Sequence, residues 1–249
     1  MVTEADEWFA AYEASMPAEY REAFDVDARR AHEAIVRRRG TRSTHIEVWR
    51  ELDDRVVAVC VVANDKPGLL SRISAALVSE QFDVVGAHAY CRTRDDGASE
   101  AVDLLWIRRL PGEKSTSEAV RAEDIAALCE AIERANANVA VPSVPPPASG
   151  GARVRFETDE KEGVTMLTVE AVDRPGLLLA VTQALFRADI QIVGLRATTE
   201  RGSAVDRFKL ADAGGKPLRK ERLFDLQIAI LSAIEEGTLT PERKKTAGS

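Results

Sequence analysis

Residues 64–70 of the chain read NDKPGLL, and a second stretch, residues 172–178, reads VDRPGLL. The agreement continues beyond both stretches at a constant offset of 108 positions, the distance from Asp65 to Asp173, with no gap as far as Ala87. An internal repeat of this kind predicts two copies of one folding unit. The further matching residues are Ile73, Ala76, Leu77, Val85 and Gly86 in the first copy and Val181, Ala184, Leu185, Val193 and Gly194 in the second.

The residues around each turn predict a strand, the turn and then a helix. Runs of apolar and β-branched residues, 56–62 (VVAVCVV) and 166–172 (MLTVEAV), come first. The first run is nearly continuous, which is typical of a strand buried on both faces. Proline disfavours helix at the residue before it and suits the first position of a new helix. Apolar residues then recur at helical spacing, as in Leu70, Ile73 and Leu77.

The rest of each copy predicts a second strand, a hairpin, a third strand and a last helix. Turn-like residues 94–97 (RDDG) and 200–202 (ERG) mark the hairpins. This order, with room for a short closing strand, predicts an α+β fold of two ferredoxin-like βαββαβ units. The predicted boundaries are Val84 and Ile190 for the start of the second strand, Leu110 and Leu210 for the end of the third, and 117–134 and 217–235 for the last helix.

These motifs resemble the ACT-domain family. The likeness rests on Asp-x-Pro-Gly-Leu-Leu after a buried strand, a glycine at the start of the second strand, and residues 198–208 (TTERGSAVDRF). The nearest resemblance is to the tandem ACT domains that end bacterial PII-uridylyltransferase/uridylyl-removing enzymes. The first copy departs further from the pattern, with a longer hairpin and Val102-Asp103 where the second copy has Val205-Asp206. The resemblance extends over roughly residues 55–110 and 164–236.

Length and local composition predict how the chain is divided. A chain of 249 residues suits two small domains with an extension. Within the extension, Asp25 or Asp27 is expected to cap a helix that stops at Gly40. The arginines at 37–39 either complement the dipole of that helix or form an anion-binding patch. The expected divisions are a helical N-terminal extension (1–43), a first ACT-like domain (44–140), a Pro/Gly linker (141–151), a second ACT-like domain (152–237) and a disordered tail (238–249).

Composition argues against several classes of partner and compartment. The net charge of −7 and pI near 5.2 give no basic surface for nucleic acid. The sequence has no run of eighteen apolar residues, so it predicts no membrane span. The acidic N-terminus, MVTEADE, does not resemble a signal peptide. The three cysteines, Cys60, Cys91 and Cys129, are odd in number and widely spaced. We therefore expect a cytoplasmic protein without a metal site, a cofactor, nucleic acid or membrane as partner.

The motifs that the resembled enzymes use for catalysis are missing from the sequence. Their uridylyltransferase activity needs a Gly-Ser turn shortly ahead of an Asp-x-Asp metal pair, whereas Asp25-Val26-Asp27 has no Gly-Ser before it. Their uridylyl-removing activity needs a His-Asp pair, but the three histidines precede Glu33, Ile46 and Ala89. The expectation is a protein that is not an enzyme and has no catalytic residues.

The repeated turn is the candidate binding site. The helix that follows Gly68 or Gly176 begins with amides that lack intrahelical partners, which can bind a carboxylate. Asp65 and Asp173 lie just outside the helix, where they can meet an ammonium group. Alternatively, each aspartate caps its own turn and each glycine only permits close packing. Gly86 and Gly194, at the start of the second strand, either allow a ligand or a partner backbone to approach closely or serve packing alone.

The resemblance adds to this because ACT domains often bind amino acids between paired units, at this turn and at the start of the second strand. Leu69, Leu70, Leu177 and Leu178 are nonetheless expected mainly in the core. The candidate ligand-binding residues are Asn64, Asp65, Pro67, Gly68, Leu69, Val85, Gly86, Asp173, Pro175, Gly176, Leu177, Val193 and Gly194.

Two functions follow as hypotheses. The first is an amino-acid-binding regulatory sensor in nitrogen or amino-acid metabolism, for which the resemblance suggests glutamine as the ligand. The second is an interaction or dimerisation module that binds no ligand and holds a protein partner or a homodimer.

Overall fold

The computed structural model describes residues 3–52, 55–110, 119–137, 151–159 and 161–235. These residues form an α+β fold with seven helices and eight strands. The predicted start of a helix at Ser117, the linker from 141 to 150 and the tail from 238 lie outside the described residues. The elements are α1 (Glu4–Ser15), α2 (Ala18–Ala23), α3 (Val26–Arg39), β1 (Thr44–Glu51), β2 (Val56–Asn64), α4 (Leu69–Ser79), β3 (Phe82–Thr93), β4 (Ser99–Arg109), α5 (Ala122–Ala137), β5 (Arg153–Asp159), β6 (Val164–Val172), α6 (Leu177–Arg187), β7 (Gln191–Glu200), β8 (Ser203–Ala211) and α7 (Lys220–Glu235).

The eight strands form one antiparallel sheet in the order β1-β2-β4-β3-β7-β8-β6-β5. Read inward from one edge the strands are β1, β2, β4 and β3, and read inward from the other edge they are β5, β6, β8 and β7. Each strand of the first copy thus has its counterpart at the same place in the second, and the two copies of the repeat occupy equivalent halves of the sheet. The halves meet where β3 pairs with β7, from Gly86 opposite Thr198 to Tyr90 opposite Gly194. Backbone hydrogen bonds therefore join the two copies within a single chain.

The edge strand of each half comes from the residues that precede the repeat. β1 pairs with β2, and β5 pairs with β6, both antiparallel. These edge strands run from Thr44 to Glu51 and from Arg153 to Asp159. The residues that directly follow α5 and α7, where a closing strand was expected, lie outside the described part of the chain.

Helices α4 to α7 cover one face of the sheet and share one core with both halves. Alternate strand residues such as Val59, Leu105 and Phe208 point into this core and are fully buried. Helices α4 and α6 also touch each other directly through Ala75, Leu179 and Ala180. The halves are therefore joined by helix packing as well as by the sheet.

The N-terminal helices cover the other face of the first half. Tyr12, Tyr20 and Phe24 pack with Val62 and Leu104 in a second core. Strand β2 is consequently buried on both faces, as its continuous apolar run predicted, while β6 alternates between buried and half-buried residues. The difference between VVAVCVV and MLTVEAV thus reflects the layer of helices that lies over the first half.

Helix α3 begins and ends where its sequence predicts. The Asp25 side chain accepts a hydrogen bond from the Ala28 amide at 2.8 Å, and Gly40 follows the last turn with φ +56°. Arg39, which the sequence assigned either to the helix dipole or to an anion-binding patch, is only 2% exposed and forms an ion pair with buried Glu100. The arginine at the end of α3 thus joins that helix to β4.

Candidate functional site: two cavities between the halves

Each repeated motif forms a tight turn that leads into a helix. Gly68 has φ +77° and ψ +11°, and the Leu69 amide donates to the Lys66 carbonyl at 3.0 Å. In the second copy, Gly176 has φ +83° and ψ 0°, and the Leu177 amide donates to the Arg174 carbonyl at 3.2 Å. These are the features of a type II turn, whose third residue needs a positive φ and so favours glycine.

The start of each helix leaves backbone donors open. Within the described residues, the amides of Leu70 and Ser71 in α4 have no acceptor, and the next amide, that of Arg72, already bonds the Gly68 carbonyl. The amides of Leu178 and Leu179 are open in the same way in α6. Two donors at a helix N-terminus form a suitable site for a carboxylate.

The first turn borders a cavity of about 130 Å³ that lies between the halves. From the first half come the turn, the first residues of α4, and strand residues of β3 and β4. From the second half come α6 and the start of β7. The lining includes Asp65, Gly68, Ser71 and Asp103 from the first half and Phe186 and Gly194 from the second.

The second turn borders a related but smaller cavity of about 30 Å³. Asp173, Gly176 and Asp206 come from the second half, and Val78 and Gly86 come from the first. Each cavity therefore combines the turn of one half with the start of the second strand of the other half.

The structure groups most of the candidate residues in these two places. Asp65, Pro67, Gly68 and Leu69 line the first cavity with Val193 and Gly194, while Asp173, Gly176 and Leu177 line the second with Val85 and Gly86. Leu69 and Leu177 are also buried in the core, as expected. Asn64 and Pro175 are not among the described residues that line either cavity. The Asn64 side-chain oxygen instead accepts a hydrogen bond from Arg39.

A β-bulge lies beside each cavity. On β3, Val84 is opposite Ile107 and Gly86 is opposite Trp106, so Val85 is an extra residue in the register. Val193 is the extra residue on β7. Bulges of this kind bend a strand and redirect its side chains, and they are frequent next to binding sites. A glycine inside a strand pattern is the sequence signal for each bulge, although no bulge was predicted at either place.

The two turn aspartates have different partners. The Asp65 carboxylate accepts a hydrogen bond from the Ser99 hydroxyl at 3.1 Å and one from the Cys91 thiol at 3.5 Å. It makes no bond to the Gly68 amide among the described residues. Asp173 is half-buried, which raises its pKa, and it bonds to Thr199 and to the backbone of Arg174. The self-capping alternative therefore describes Asp173 in part but not Asp65.

Each cavity also contains a buried carboxyl group, which in the sequence was part of a hairpin motif and was not predicted as a site residue. Asp103 on β4 is 3% exposed and Asp206 on β8 is 4% exposed. Burial, with a smaller effect from neighbouring Asp65, raises the pKa of Asp103 to about 8. Burial and neighbouring Asp173 raise the pKa of Asp206 to about 7. The available signal was an aspartate at the core-facing position between Ala101 and Leu105.

The described residues give no indication of a metal site or of a membrane span. They contain no group of three or more His, Cys, Asp or Glu side chains that could hold a metal ion. In the same part of the chain, every helix is too short or too polar to cross a membrane.

Comparison with known proteins places the chain beside one group of bacterial enzymes. A relative from Nitrobacter winogradskyi is 31% identical over 183 residues, which cover 70% of this chain and 19% of the relative. A relative from Rhodospirillum rubrum is 27% identical over 223 residues, which cover 82% of this chain and 22% of the relative. One from Caulobacter vibrioides is 25% identical over 234 residues, which cover 90% of this chain and 24% of the relative. All three relatives are named bifunctional uridylyltransferase/uridylyl-removing enzyme. The chain thus spans about a fifth of the length of these relatives. The similarity agrees with the enzyme group to which the motifs pointed.

No protein-family model matches the chain. Among solved structures, an unknown protein from Galdieria sulphuraria is 19% identical with a TM-score of 0.22, covering 73% of this chain and 92% of that one. The trimeric bacterial microcompartment shell protein PduB is 9% identical with a TM-score of 0.26, and the match covers 78% of this chain and 86% of that one. No conclusion follows from likenesses of this size.

Proposed function

We propose that this chain is an amino-acid-binding regulatory region built from two ferredoxin-like ACT units. The units comprise residues 44–140 and 152–237, and the ligand binds in the cavities between them. The observation that carries the proposal is the composition of the first cavity. It combines open amides at the start of α4 with the Asp65 carboxylate and with the bulged strand of the other half.

A free amino acid matches these groups chemically. Its carboxylate can accept hydrogen bonds from the Leu70 and Ser71 amides, where the helix dipole also favours negative charge. Its ammonium group can bond to Asp65, and hydrogen bonds between charged groups are stronger than neutral ones. Because one molecule carries both groups close together, a zwitterion fits better than a ligand with only one charge.

The position of the cavity supports a regulatory role. Its walls belong to both halves, so a ligand that contacts both walls stabilises one relative arrangement of the halves over others. A change in that arrangement can be read by a partner or by other parts of a longer protein. The proposal assigns no catalytic residue, metal or cofactor to this region.

The relatives support the metabolic context of the proposal. They are named as uridylyltransferase/uridylyl-removing enzymes, and the chain corresponds to about a fifth of their length. We infer a role in nitrogen or amino-acid metabolism, with glutamine as the first ligand to test. The cavity groups named above can contact only the charged ends of an amino acid, so they favour a zwitterion without selecting a particular side chain.

One observation favours the second candidate function, an interaction module. The face of β6 and β8 opposite α6 and α7 has half-buried or exposed side chains, including Val172 at 48% exposure, Arg207 and Thr168. The equivalent face of the first half is covered by α1 to α3. A protein partner or a second copy of the chain can occupy such a face.

Thermal melting with each of the twenty amino acids tests the proposal. A ligand that binds only the native state raises its stability, by about 2.7 kcal/mol at a concentration one hundred times Kd. We expect at least one amino acid to raise the melting temperature, and Asp65→Asn to reduce that shift. If none does so at millimolar concentration while the protein melts cooperatively, the interaction module replaces the sensor.

A further inference from the structure

The Asp103 carboxyl group is buried in the first cavity without a partner. It is 3% exposed, lines the cavity and has no hydrogen bond or ion pair within the described residues. An isolated carboxylate is expensive to bury, so such a group either keeps its proton or takes up a cation. Without a cation beside it, Asp103 keeps its proton, and once that proton is lost the carboxylate can accept hydrogen bonds from a positively charged ligand group.

An unused donor group lies in the same cavity. Ser71, in the first turn of α4, is 1% exposed, lines the cavity and has a hydroxyl oxygen without a hydrogen-bond partner in the described residues. Native proteins rarely leave buried polar atoms unpaired without a ligand, a water or a functional reason. The cavity therefore contains two polar groups without a partner in the described residues, the Asp103 carboxyl group and the Ser71 hydroxyl group.

None of the other ionisable groups around Asp103, including Lys66 in the turn, forms an ion pair with it in the described residues. Asp65 in the turn is negative and makes ionisation of Asp103 harder. Burial raises the pKa values of the Cys91 and Cys60 thiols, which therefore stay neutral. The lining residues of α6 carry no charge. The groups that face the cavity or interact with Asp103 are Asp65 and Lys66 in the turn, Cys60 on β2, Cys91 on β3, Ser71 on α4, and Thr182 and Phe186 on α6.

We propose that Asp103 binds the primary ammonium group of the ligand together with Asp65, and that binding displaces a proton from Asp103. This inference rests on the proposed amino-acid site. The Asp103 carboxyl group loses its proton to the buffer, the ammonium group keeps all of its own, and the resulting carboxylate pairs with it. Asp65 and Asp103 then share one cation between two walls of the cavity.

The inference defines the ligand class and a form of regulation. The ligand must carry a free primary ammonium group, so an N-acetylated amino acid or the corresponding keto acid is excluded. Because the free carboxyl group is protonated below about pH 8, ligand affinity must rise with pH up to that value. Asp206 occupies the corresponding place in the second cavity, so both copies of the repeat place a buried aspartate beside the turn.

Calorimetry can measure the displaced proton directly. Wild type and Asp103→Asn are titrated with the twenty amino acids at pH 6, 7 and 8, each in two buffers with different ionisation enthalpies. For wild type we expect release of roughly one proton per ligand at pH 7 and an affinity that rises up to about tenfold per pH unit. Asp103→Asn is expected to bind more weakly, without proton release and with a flat pH profile.

Two controls make the result specific. Asp27→Asn removes an exposed carboxylate in the first turn of α3, away from both cavities, and should reproduce the wild-type proton release. The N-acetyl form of the best-binding amino acid should give no binding. If Asp103→Asn does not fold, the wild-type proton release and the failure of the N-acetyl form to bind still decide the question.

The outcomes separate this inference from the proposed function. If wild type binds an amino acid without releasing a proton, or if Asp103→Asn keeps the wild-type pH profile, the role of Asp103 is wrong and the amino-acid site stands. If the N-acetyl form binds as well as the parent amino acid, the ammonium contact is wrong. If folded wild type binds none of the twenty amino acids, both proposals fail.

Discussion

The ring of Phe186 lies so close to Gly68 that a Cβ atom on Gly68 would come within 2.5 Å of the ring atom Cδ2. Phe186 belongs to α6 in the second half of the chain, whereas Gly68 belongs to the turn of the first half. The guanidinium group of Arg72 lies over the same ring, 5.4 Å from its centroid. The turn that borders the first cavity is therefore fixed against the other half by a contact that only glycine allows.

Replacing Gly68 tests this contact. Gly68→Ala should lower the free energy of unfolding by about 2–4 kcal/mol, because it adds a clash with Phe186 to the strain of a positive φ. Gly97→Ala is the matched control, since Gly97 has φ +80° and nothing within 4 Å of an added Cβ. Its loss should be about 1 kcal/mol. Equal losses in urea unfolding would show that Phe186 does not constrain the turn.

The buried ion pair of Arg39 gives a second prediction. Arg39 and Glu100 are 2% and 3% exposed, and Arg39 also bonds to Asn64 at the end of β2. Arg39→Ala leaves Glu100 buried with Arg92 as its remaining ion-pair partner in the described residues, so we expect a loss of roughly 3–5 kcal/mol of stability.

Arg38 provides the comparison for Arg39. It pairs with Glu47 at the surface, where about half of the Arg38 side chain is exposed. Arg38→Ala should cost about 0–1 kcal/mol, and this loss should shrink further in high salt. Chemical unfolding at low and high salt separates the two cases. Similar losses for both variants would contradict the burial of Arg39.

The buried carboxyl groups make stability depend on pH in the absence of ligand. The folded-state pKa values of Asp103 and Asp206, about 8 and about 7, lie above the ordinary aspartate value of 3.8. A raised pKa means that the folded state keeps its proton to a higher pH than the unfolded state does. The contribution to stability is therefore full at low pH and is lost as pH rises through 7 and 8.

Between pH 6.5 and 8 we expect wild type to lose stability and Asp103→Asn to lose roughly 1–2 kcal/mol less. Buried His32 and His88, with pKa values lowered to about 3 and about 4, act in the opposite direction until their unfolded-state titration near pH 6.5 is complete. Their contribution is the same in both proteins, so it cancels from the difference between wild type and Asp103→Asn. Urea unfolding across it gives the measurement, and parallel slopes for the two proteins would argue against a protonated Asp103 in the folded state.

The unequal cavities predict unequal binding. The first cavity is about 130 Å³ and the second about 30 Å³, which is close to the share of one water molecule in the liquid. We expect one tight site per chain, weakened by Asp65→Asn, and a weaker site or none at the second cavity. Calorimetric stoichiometry, with Asp173→Asn to report on the second cavity, tests this. Two equal sites would mean that the second cavity opens to the size of the first.

The sequence predicted those features that depend on neighbouring residues. The repeat gave the turns at Gly68 and Gly176 and the helices that follow them, and Asp25 marked the start of α3. These features follow from φ preferences, capping and apolar spacing, which act over a few positions. The helices after the third strands were predicted to begin at 117 and 217, whereas α5 begins at Ala122 and α7 at Lys220.

The features that the sequence did not reveal depend on contacts between distant segments. Pairing of β3 with β7 brings together edges that are about a hundred residues apart, and no local pattern specifies that partner. Burial of Arg39 depends on Glu100 in another element. Asp103 was visible as a polar residue at a core-facing position, but only the folded chain shows that it has no partner there.

Calorimetric titration of wild type and Asp65→Asn with the twenty amino acids tests the central claim most directly. We predict that at least one free amino acid binds wild type with one tight site per chain. Asp65→Asn should weaken that binding by about 1–3 kcal/mol, or roughly fivefold to 150-fold in Kd, because it removes the charge that faces the ammonium group. The absence of binding heat from all twenty at millimolar concentration, in a protein that unfolds cooperatively, would contradict the account.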